Sequence, residues 1–387
     1  MNPSLSEYAD ATPATADGDA PPASASVPAS QRDWTRRRAV WRALALSGLA
    51  ALALIAFAFS LAVGSVVIPL DQALIIISGG EPARATWADI VRDFRLPKAL
   101  TAALAGSALA VSGAHMQTLF RNPLASPSTL GVNAGASLGV AIVALTSAYT
   151  SPGASWLRAA ADSLIALDIG RALAAGLGAA GVMVLLLAAA RNMDTLTLLV
   201  LGVMVGYATN ALVTLLIYFA VSEQMQAYVL WTFGSFSNVT WSQLPILASL
   251  VALGLLISLG LMKTLNALLL GETYARSMGV SVQRSRTLAI VCASLLAGSV
   301  TAFCGPVAFL GVATPHLCRG LLGTSDHRLI LPASALMGAV LALAADVIAQ
   351  MPGRAGVLPL NAVTAFIGAP VVIWVITRRR RAGGFAL

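Results

Sequence analysis

The sequence predicts an all-α, polytopic membrane protein with about ten transmembrane helices and both termini on the cytoplasmic side. Three observations carry this. Of the 387 residues 58% are hydrophobic and only 10% are charged, with a mean hydropathy of +0.82. A soluble domain carries charge at about a quarter of its positions, and a bilayer is the solvent that accepts this much apolar surface. The apolar stretches are continuous, as in Leu44–Val63 and Ile246–Leu261, without the alternation over about ten residues that a barrel strand needs. Aromatics make up 6% while Ala, Gly and Leu dominate, which suits helices that must pack closely in lipid.

Taken in order, residues 1–38 are rich in Ala, Pro, Ser, Asp and Thr and read as a disordered tail, because they hold too little apolar surface to offset ordering entropy. Arg36, Arg37 and Arg38 then precede an apolar run of more than 20 residues. That run is longer than a signal-peptide core, so it reads as the first transmembrane helix. The spans expected are 40–63, 97–119, 128–148, 169–190, 195–220, 242–262, 284–303, 307–320, 330–350 and 362–377, the eighth being short for a crossing. With the N-terminus inside, this order places 17 of the 24 Lys and Arg on the inner side and 7 outside, the bias that sets topology in membranes. The net charge of +8 is scattered over short loops and termini, unlike the stripe of a nucleic-acid-binding surface.

The segments between spans are short. Residues 64–95 and 149–168 are mixed and Gly/Pro-containing, and 221–240 holds Tyr228, Trp231, Phe233 and Phe236, an aromatic density that suggests a helix or turn at the interface. No Gly-Lys-Ser/Thr phosphate loop occurs, so the chain is not expected to hydrolyse ATP itself. Cys292, Cys304 and Cys318 sit in apolar stretches without ligand spacing and read as packing residues. No metal site is expected.

Three stretches stand out. The first runs from Arg95-Leu96-Pro97-Lys98 through Gly106, Gly113 and Gln117 to Arg121-Asn122-Pro123-Leu124-Ala125-Ser126-Pro127, then Gly131 and Gly135. Physically it is a helix entering after Pro97, stopping at Asn122-Pro123, and returning through a glycine-bearing partner. The second, Gly271-Glu272-Thr273-Tyr274-Ala275-Arg276-Ser277-Met278-Gly279, is a short helix between two glycines, with Glu272 suited to its first turn and Gly279 to its C-terminal end. Its residues leave an ordinary surface turn and a docking knob equally open. The third contains Gly305-Pro306, Pro315-His316 and Arg319. His316 fits a structural hydrogen bond, and His115 fits packing. Asp346 is an acid inside an apolar run; such a residue is a functional candidate by default, with a hydrogen-bonding anchor between helices as the favoured reading.

Together with Leu358-Pro359, Thr364, Gly368, Ala369 and Pro370, these stretches resemble the permease of the iron-siderophore, haem and cobalamin class of ABC importers, the FecCD type, over about residues 40–378. The resemblance implies a non-enzymatic permease domain over 39–381 in the bacterial inner membrane, working as a pair with a second copy or homologue. Two separate ATP-binding subunits, which hold ATP and Mg, and a periplasmic or lipid-anchored substrate-binding protein complete the complex. No cofactor is bound by this chain. The segment near 265–281 becomes the ATPase coupling element, carried by Gly271, Glu272, Ala275, Arg276, Met278 and Gly279. Arg95, Lys98 and Arg354 become docking cations for the binding protein. The sequence departs from the family pattern at Gln350 and Val357, which leaves the third basic contact open. Asn122, Leu124, Thr195 and Leu196 become a cytoplasmic gate, and Asp346 and His316 the polar groups within the membrane. The cargo implied is a ferric siderophore, with haem and cobalamin as alternatives. An ion-coupled secondary transporter is the rival class; it calls for paired charges or interrupted helices repeated in two halves, and Asp346 alone is thin support.

Overall fold

The computed structural model describes residues 29–64, 66–146, 169–190, 192–350 and 356–381. The chain divides into two compact units, residues 1–43 and 44–387. The described part of the first unit is the opening of helix α1 (Ala29–Ala62). In the second, α2 (Leu70–Ile77) and α3 (Ala85–Asp89) lead through a π-helical turn, Ile90–Arg95, into α4 (Leu96–Leu119). Then follow α5 (Val132–Thr146), α6 (Gly170–Ala189), α7 (Thr195–Tyr218), α8 (Ser222–Thr232), α9 (Leu244–Leu269), α10 (Glu272–Ser277), α11 (Val282–Cys304), α12 (Leu310–Leu322), α13 (His327–Ala349) and α14 (Leu360–Arg381). No strand occurs among the described residues. Also among the described residues, seven helices are long and apolar enough to cross a membrane, and α5 and α14 contain shorter apolar stretches, Val132–Leu145 and Leu360–Val375. Each sequence-predicted span falls on a helix in the expected order, and α12, at 13 residues, is short as expected.

Two boundaries differ. The tail expected to be disordered through residue 38 is helical from Ala29, where α1 opens; residues 1–28 lie outside the described residues. The helix carrying the first stretch does not begin after Pro97; it runs unbroken from Ala85 to Leu119. Pro97 is the second residue of α4 and lies inside this continuous run, where its missing N–H removes one helical hydrogen bond and its ring crowds the turn before it. The wider π turn before it closes with the N–H of Leu96 on the carbonyl of Val91, five residues back, so the backbone continues past the proline without a break.

Helix α4 lies at the centre, packed against α9, α11, α12 and α13. Small residues make this possible. A Cβ on Gly106 would lie 2.1 Å from the carbonyl oxygen of Gly338, and one on Gly113 would lie 1.7 Å from that of Gly311. Gly135 and Gly178 bring α5 and α6 together in the same way, at 2.5 Å. Cys292, Cys304 and Cys318 are buried free thiols within this packing. The aromatic stretch forms α8 and a 3-10 turn, Phe236–Asn238. Its Tyr228, Trp231 and Phe236 are buried, and Asn361 fastens it to the bundle by donating to Thr232 O at 3.1 Å and from its backbone to Phe233 O at 3.0 Å.

Candidate functional site

The short helix α10 is shaped by its two glycines. Gly271 has φ +109° and ψ 154°, a conformation essentially restricted to glycine. Gly279 has φ +80°. The Gly279 N–H donates to Arg276 O at 2.9 Å and the Val280 N–H to Ala275 O at 3.0 Å, the paired bonds that close a helix C-terminus. Ala275 is fully buried and packs with Ala267, Leu268 and Val282, against which Val280 also rests. One face of α10 is thereby nailed to the ends of α9 and α11, while Tyr274 and Met278 on the other are 53% and 47% exposed. Arg276 pairs with Glu272 at 3.7 Å along the helix, an exposed i,i+4 contact worth only about 0.3–0.5 kcal/mol.

Two turns flank this element. Thr195 Oγ1 donates to Glu272 Oε1 at 2.9 Å, joining α10 to the first residue of α7. On another side, the guanidinium of Arg121 lies 3.6 Å from where a Cβ on Gly271 would sit. In the turn that follows Arg121, Asn122 Oδ1 accepts from the Leu124 N–H at 2.9 Å. His316 Nε2 donates to Pro123 O at 2.7 Å, so this histidine braces the turn from α12. Leu124 and Leu196 are 41% and 69% exposed. Asn122, Leu124, Thr195 and Leu196 thus border the α10 element at one end of the bundle.

Arg95, Lys98 and Asp346 form a second cluster. Arg95 and Lys98, expected to offer charge to a docking protein, are instead turned inward, 5% and 6% exposed. The Arg95 guanidinium donates to Leu61 O at 2.8 Å and Ala62 O at 2.9 Å, carbonyls at the C-terminus of α1 that lack helical partners, and to Val66 O in the connection beyond. Lys98 Nζ meets Asp346 Oδ2 at 3.1 Å, and Gln350 Nε2 donates to the same oxygen at 2.7 Å. A buried charge persists where it is paired, and each of these cations has its partner on the same chain. Asp346 serves here as an interhelical anchor between α13 and α4. Arg354 lies outside the described residues. Exposed near this cluster are Arg84, stacked over Trp87 at 5.1 Å, and Arg92. An open cleft of about 660 Å³ runs past Phe94, Lys98, Trp241 and Gln350.

Sequence reasoning missed several members of the first cluster. Asp194 caps α7, its carboxylate accepting from the Leu196 and Thr197 N–H groups at 3.2 and 3.4 Å. The Thr197 side chain and these backbone donors hold its carboxyl below the usual range. Gln283 Nε2 donates to Ala190 O at 2.8 Å and Arg286 Nη2 to Met193 O at 2.6 Å. Asn266 Nδ2 donates to Asp326 Oδ1 at 2.6 Å, while its Oδ1 accepts from the His327 N–H at 2.8 Å. Partial burial pushes the Asp326 carboxyl up, but the Arg328 N–H, the Asn266 amide and the nearby charges of Arg328 and His327 leave it below the usual range. An acid directly before an apolar run, as at 194 and 326, is the sequence signal of a helix cap; the links of Gln283 and Arg286 to a segment some 90 residues away carry no such signal. Among the described residues no group of three or more His, Cys, Asp or Glu is placed to hold a metal ion.

The chain matches the model of the FecCD transport family over residues 52–378. It is similar to the vitamin B12 import system permease protein BtuC of Citrobacter koseri, 37% identical over 347 residues that span 89% of this chain and 96% of that protein. The BtuC of Klebsiella pneumoniae is 36% identical over 338 residues, 87% and 95% of the two chains. Among solved structures it resembles an inward-facing protein assigned to the metal-chelate type of ABC transporter, with a TM-score of 0.74, 28% identity, and coverage of 86% of this chain and 98% of that one.

Proposed function

We propose that this chain, which belongs to the FecCD transport family, carries a bulky metal chelate inward across the bacterial inner membrane as the membrane subunit of a larger complex. Family membership makes it the permease of an ABC importer; the cargo, the partners and the roles of individual residues are our reading. The observation that carries the partner assignment is α10. It is a rigid knob closed at both ends by positive-φ glycines, buried on one face through Ala275, and presenting Tyr274 and Met278 outward. A partner ATPase that gripped this knob would move it together with the ends of α9 and α11, because Ala275 is buried between them and paired backbone hydrogen bonds from Gly279 and Val280 close its C-terminus. ATP and Mg belong to that partner. Closure of two such ATPases then biases a pair of permease chains between outward and inward arrangements.

The cargo path would lie against α7. This helix leaves Val200, Met204, Tyr207, Leu212 and Leu215 exposed, with no Asp, Glu, Lys or Arg between Thr195 and Tyr218. A wall of this kind passes a large chelate without holding it, so selectivity would reside in a binding protein delivering from the opposite end. Arg84, and Arg92, which stays exposed while one of its Nη groups donates to Ile76 O at 3.2 Å, suit that contact better than the buried Arg95 and Lys98. Relatives that import vitamin B12 align over nearly the whole chain, which favours a corrinoid. A ferric siderophore is the second reading, supported by the Ala125-Ser126-Pro127 turn, whose form resembles siderophore members of the family.

The test is to co-purify the chain with the ATPase and binding protein encoded beside it and to measure ATP hydrolysis in lipid vesicles. Cyanocobalamin, a panel of ferric siderophores and haem are offered in turn on the binding protein. A stable complex stimulated by one loaded form supports the reading and names the cargo. A folded chain that captures no ATPase would overturn the partner assignment.

A further inference from the structure

The link between α6 and α7 is gripped from one side at three points. Gln283 bonds Ala190 O, Arg286 bonds Met193 O, and Glu272 accepts from Thr195. All three gripping residues belong to α10 or to the start of α11. The contacts fall on the residues that enter α7, whose first turn is fixed to the link by the Asp194 cap. Two of the three acceptors are main-chain carbonyls, so the grip holds the path of the chain and not only its side chains. Arg286 is 5% exposed, and its Nε has no hydrogen-bond partner among the described residues. The Glu272 and Asp194 carboxylates both act on this guanidinium. An unsatisfied buried donor is costly, so the grip at Met193 O is held by a guanidinium that still has a donor to spare.

From this geometry we propose that Gln283 and Arg286 are positioning residues that, with Glu272, make Ala190, Met193 and Thr195 move with α10, so that displacement of the knob is delivered to the N-terminus of α7. This rests on the reading of α10 as the ATPase contact. It supplies the step that reading lacks: a bonded route from the contact to the helix along the path. The route is short: three hydrogen bonds join the knob and the start of α11 to the residues that enter α7.

The experiment uses the full complex of permease and ATPase in phosphatidylethanolamine–phosphatidylglycerol vesicles. Hydrogen exchange of the Thr195–Leu198 amides is followed with and without ATP and vanadate. In the unaltered complex, nucleotide changes that exchange by about fivefold or more, the lower bound of a typical coupling. In Gln283→Leu and Arg286→Gln the complex still forms and hydrolyses ATP, but the response at Thr195–Leu198 disappears, and Arg286→Lys restores part of it. Cyanocobalamin taken up per ATP falls in step. If both variants keep the nucleotide response, the inference is overturned. It is equally overturned if assembly, melting temperature and hydrolysis fall together while uptake per ATP holds, since that is the mark of a merely structural role. Gln283 is exposed on its helix, so its variant tests the idea even if Arg286→Gln does not fold. Failure of the unaltered chain to bind ATPase is a different result and counts against the partner assignment itself. The exchange readout needs no cargo and so stands whichever chelate is carried.

Discussion

Replacing Lys98 by Met should destabilise the bundle by about 3–5 kcal/mol, the range for stripping one partner from a buried ion pair. The structure sets the scale. Lys98 Nζ and Asp346 Oδ2 are 3.1 Å apart, with side chains only 7% and 8% exposed. At an effective dielectric of about 20, two unit charges at that distance attract by roughly 5 kcal/mol, most of it offset by the desolvation of both groups. Lys98→Met removes the attraction and leaves the carboxylate's desolvation in place. Gln350, bonding the same oxygen at 2.7 Å, relieves part of that loss and places the expectation at the lower end. The double variant Lys98→Met/Asp346→Leu removes both charges, and should return to within about 1 kcal/mol of the parent. The assay is reversible unfolding of the detergent-solubilised chain by added SDS, run as a double-mutant cycle. A loss below about 1 kcal/mol for Lys98→Met, or a double variant as unstable as the two singles summed, would refute the reasoning, because either means that water reaches the pair.

Gly279→Val places a β-branched residue at φ +80°, a strain of about 1–2 kcal/mol or more; it should abolish capture of the ATPase while the melting temperature of the bundle barely moves. Gly106→Val should give no folded protein in detergent, since its Cβ would sit 2.1 Å from Gly338 O, whereas Gly48→Val, with nothing within 4 Å, should purify normally. The depressed carboxyl of Asp194 contributes stability above its unfolded value of about 3.9 and loses it as pH falls through the lower folded value. Protection of the Leu196 and Thr197 amides should therefore weaken on acidification below pH 4, and Asp194→Asn should remove that dependence. Deleting residues 2–28, which carry few large apolar groups, should leave uptake in vesicles unchanged.

The helices were legible because each is a long apolar run, and order and approximate ends follow from the runs alone. The stop at Asn122-Pro123 and the bracketing of α10 by Gly271 and Gly279 were equally legible, since proline and glycine report backbone geometry directly. Side-chain direction was not. Pro97 suggested a helix start, and the π turn that carries the chain past it has no sequence mark. The family resemblance made Arg95 and Lys98 docking cations; whether a cation beside an apolar run turns outward or inward depends on carbonyls at the end of α1 and on a carboxylate about 250 residues further along the chain. Asp346 was recognised as unusual, but its partner was not. The joining of Thr195 to Glu272 is likewise a tertiary event, although each residue had been singled out on its own segment.

The three native thiols have a practical consequence. Cys292, Cys304 and Cys318 each show no solvent-accessible surface, and a thiol must reach a reagent as thiolate to react. Toward water-soluble maleimides the folded chain should therefore behave as if it contained no cysteine. Single cysteines introduced at Leu196 and Met278, 69% and 47% exposed, can then carry spin labels or fluorophores on an otherwise unaltered background. Labels at these two sites lie on the two elements joined by the Thr195–Glu272 bond, so one doubly labelled chain reports directly on whether they travel together.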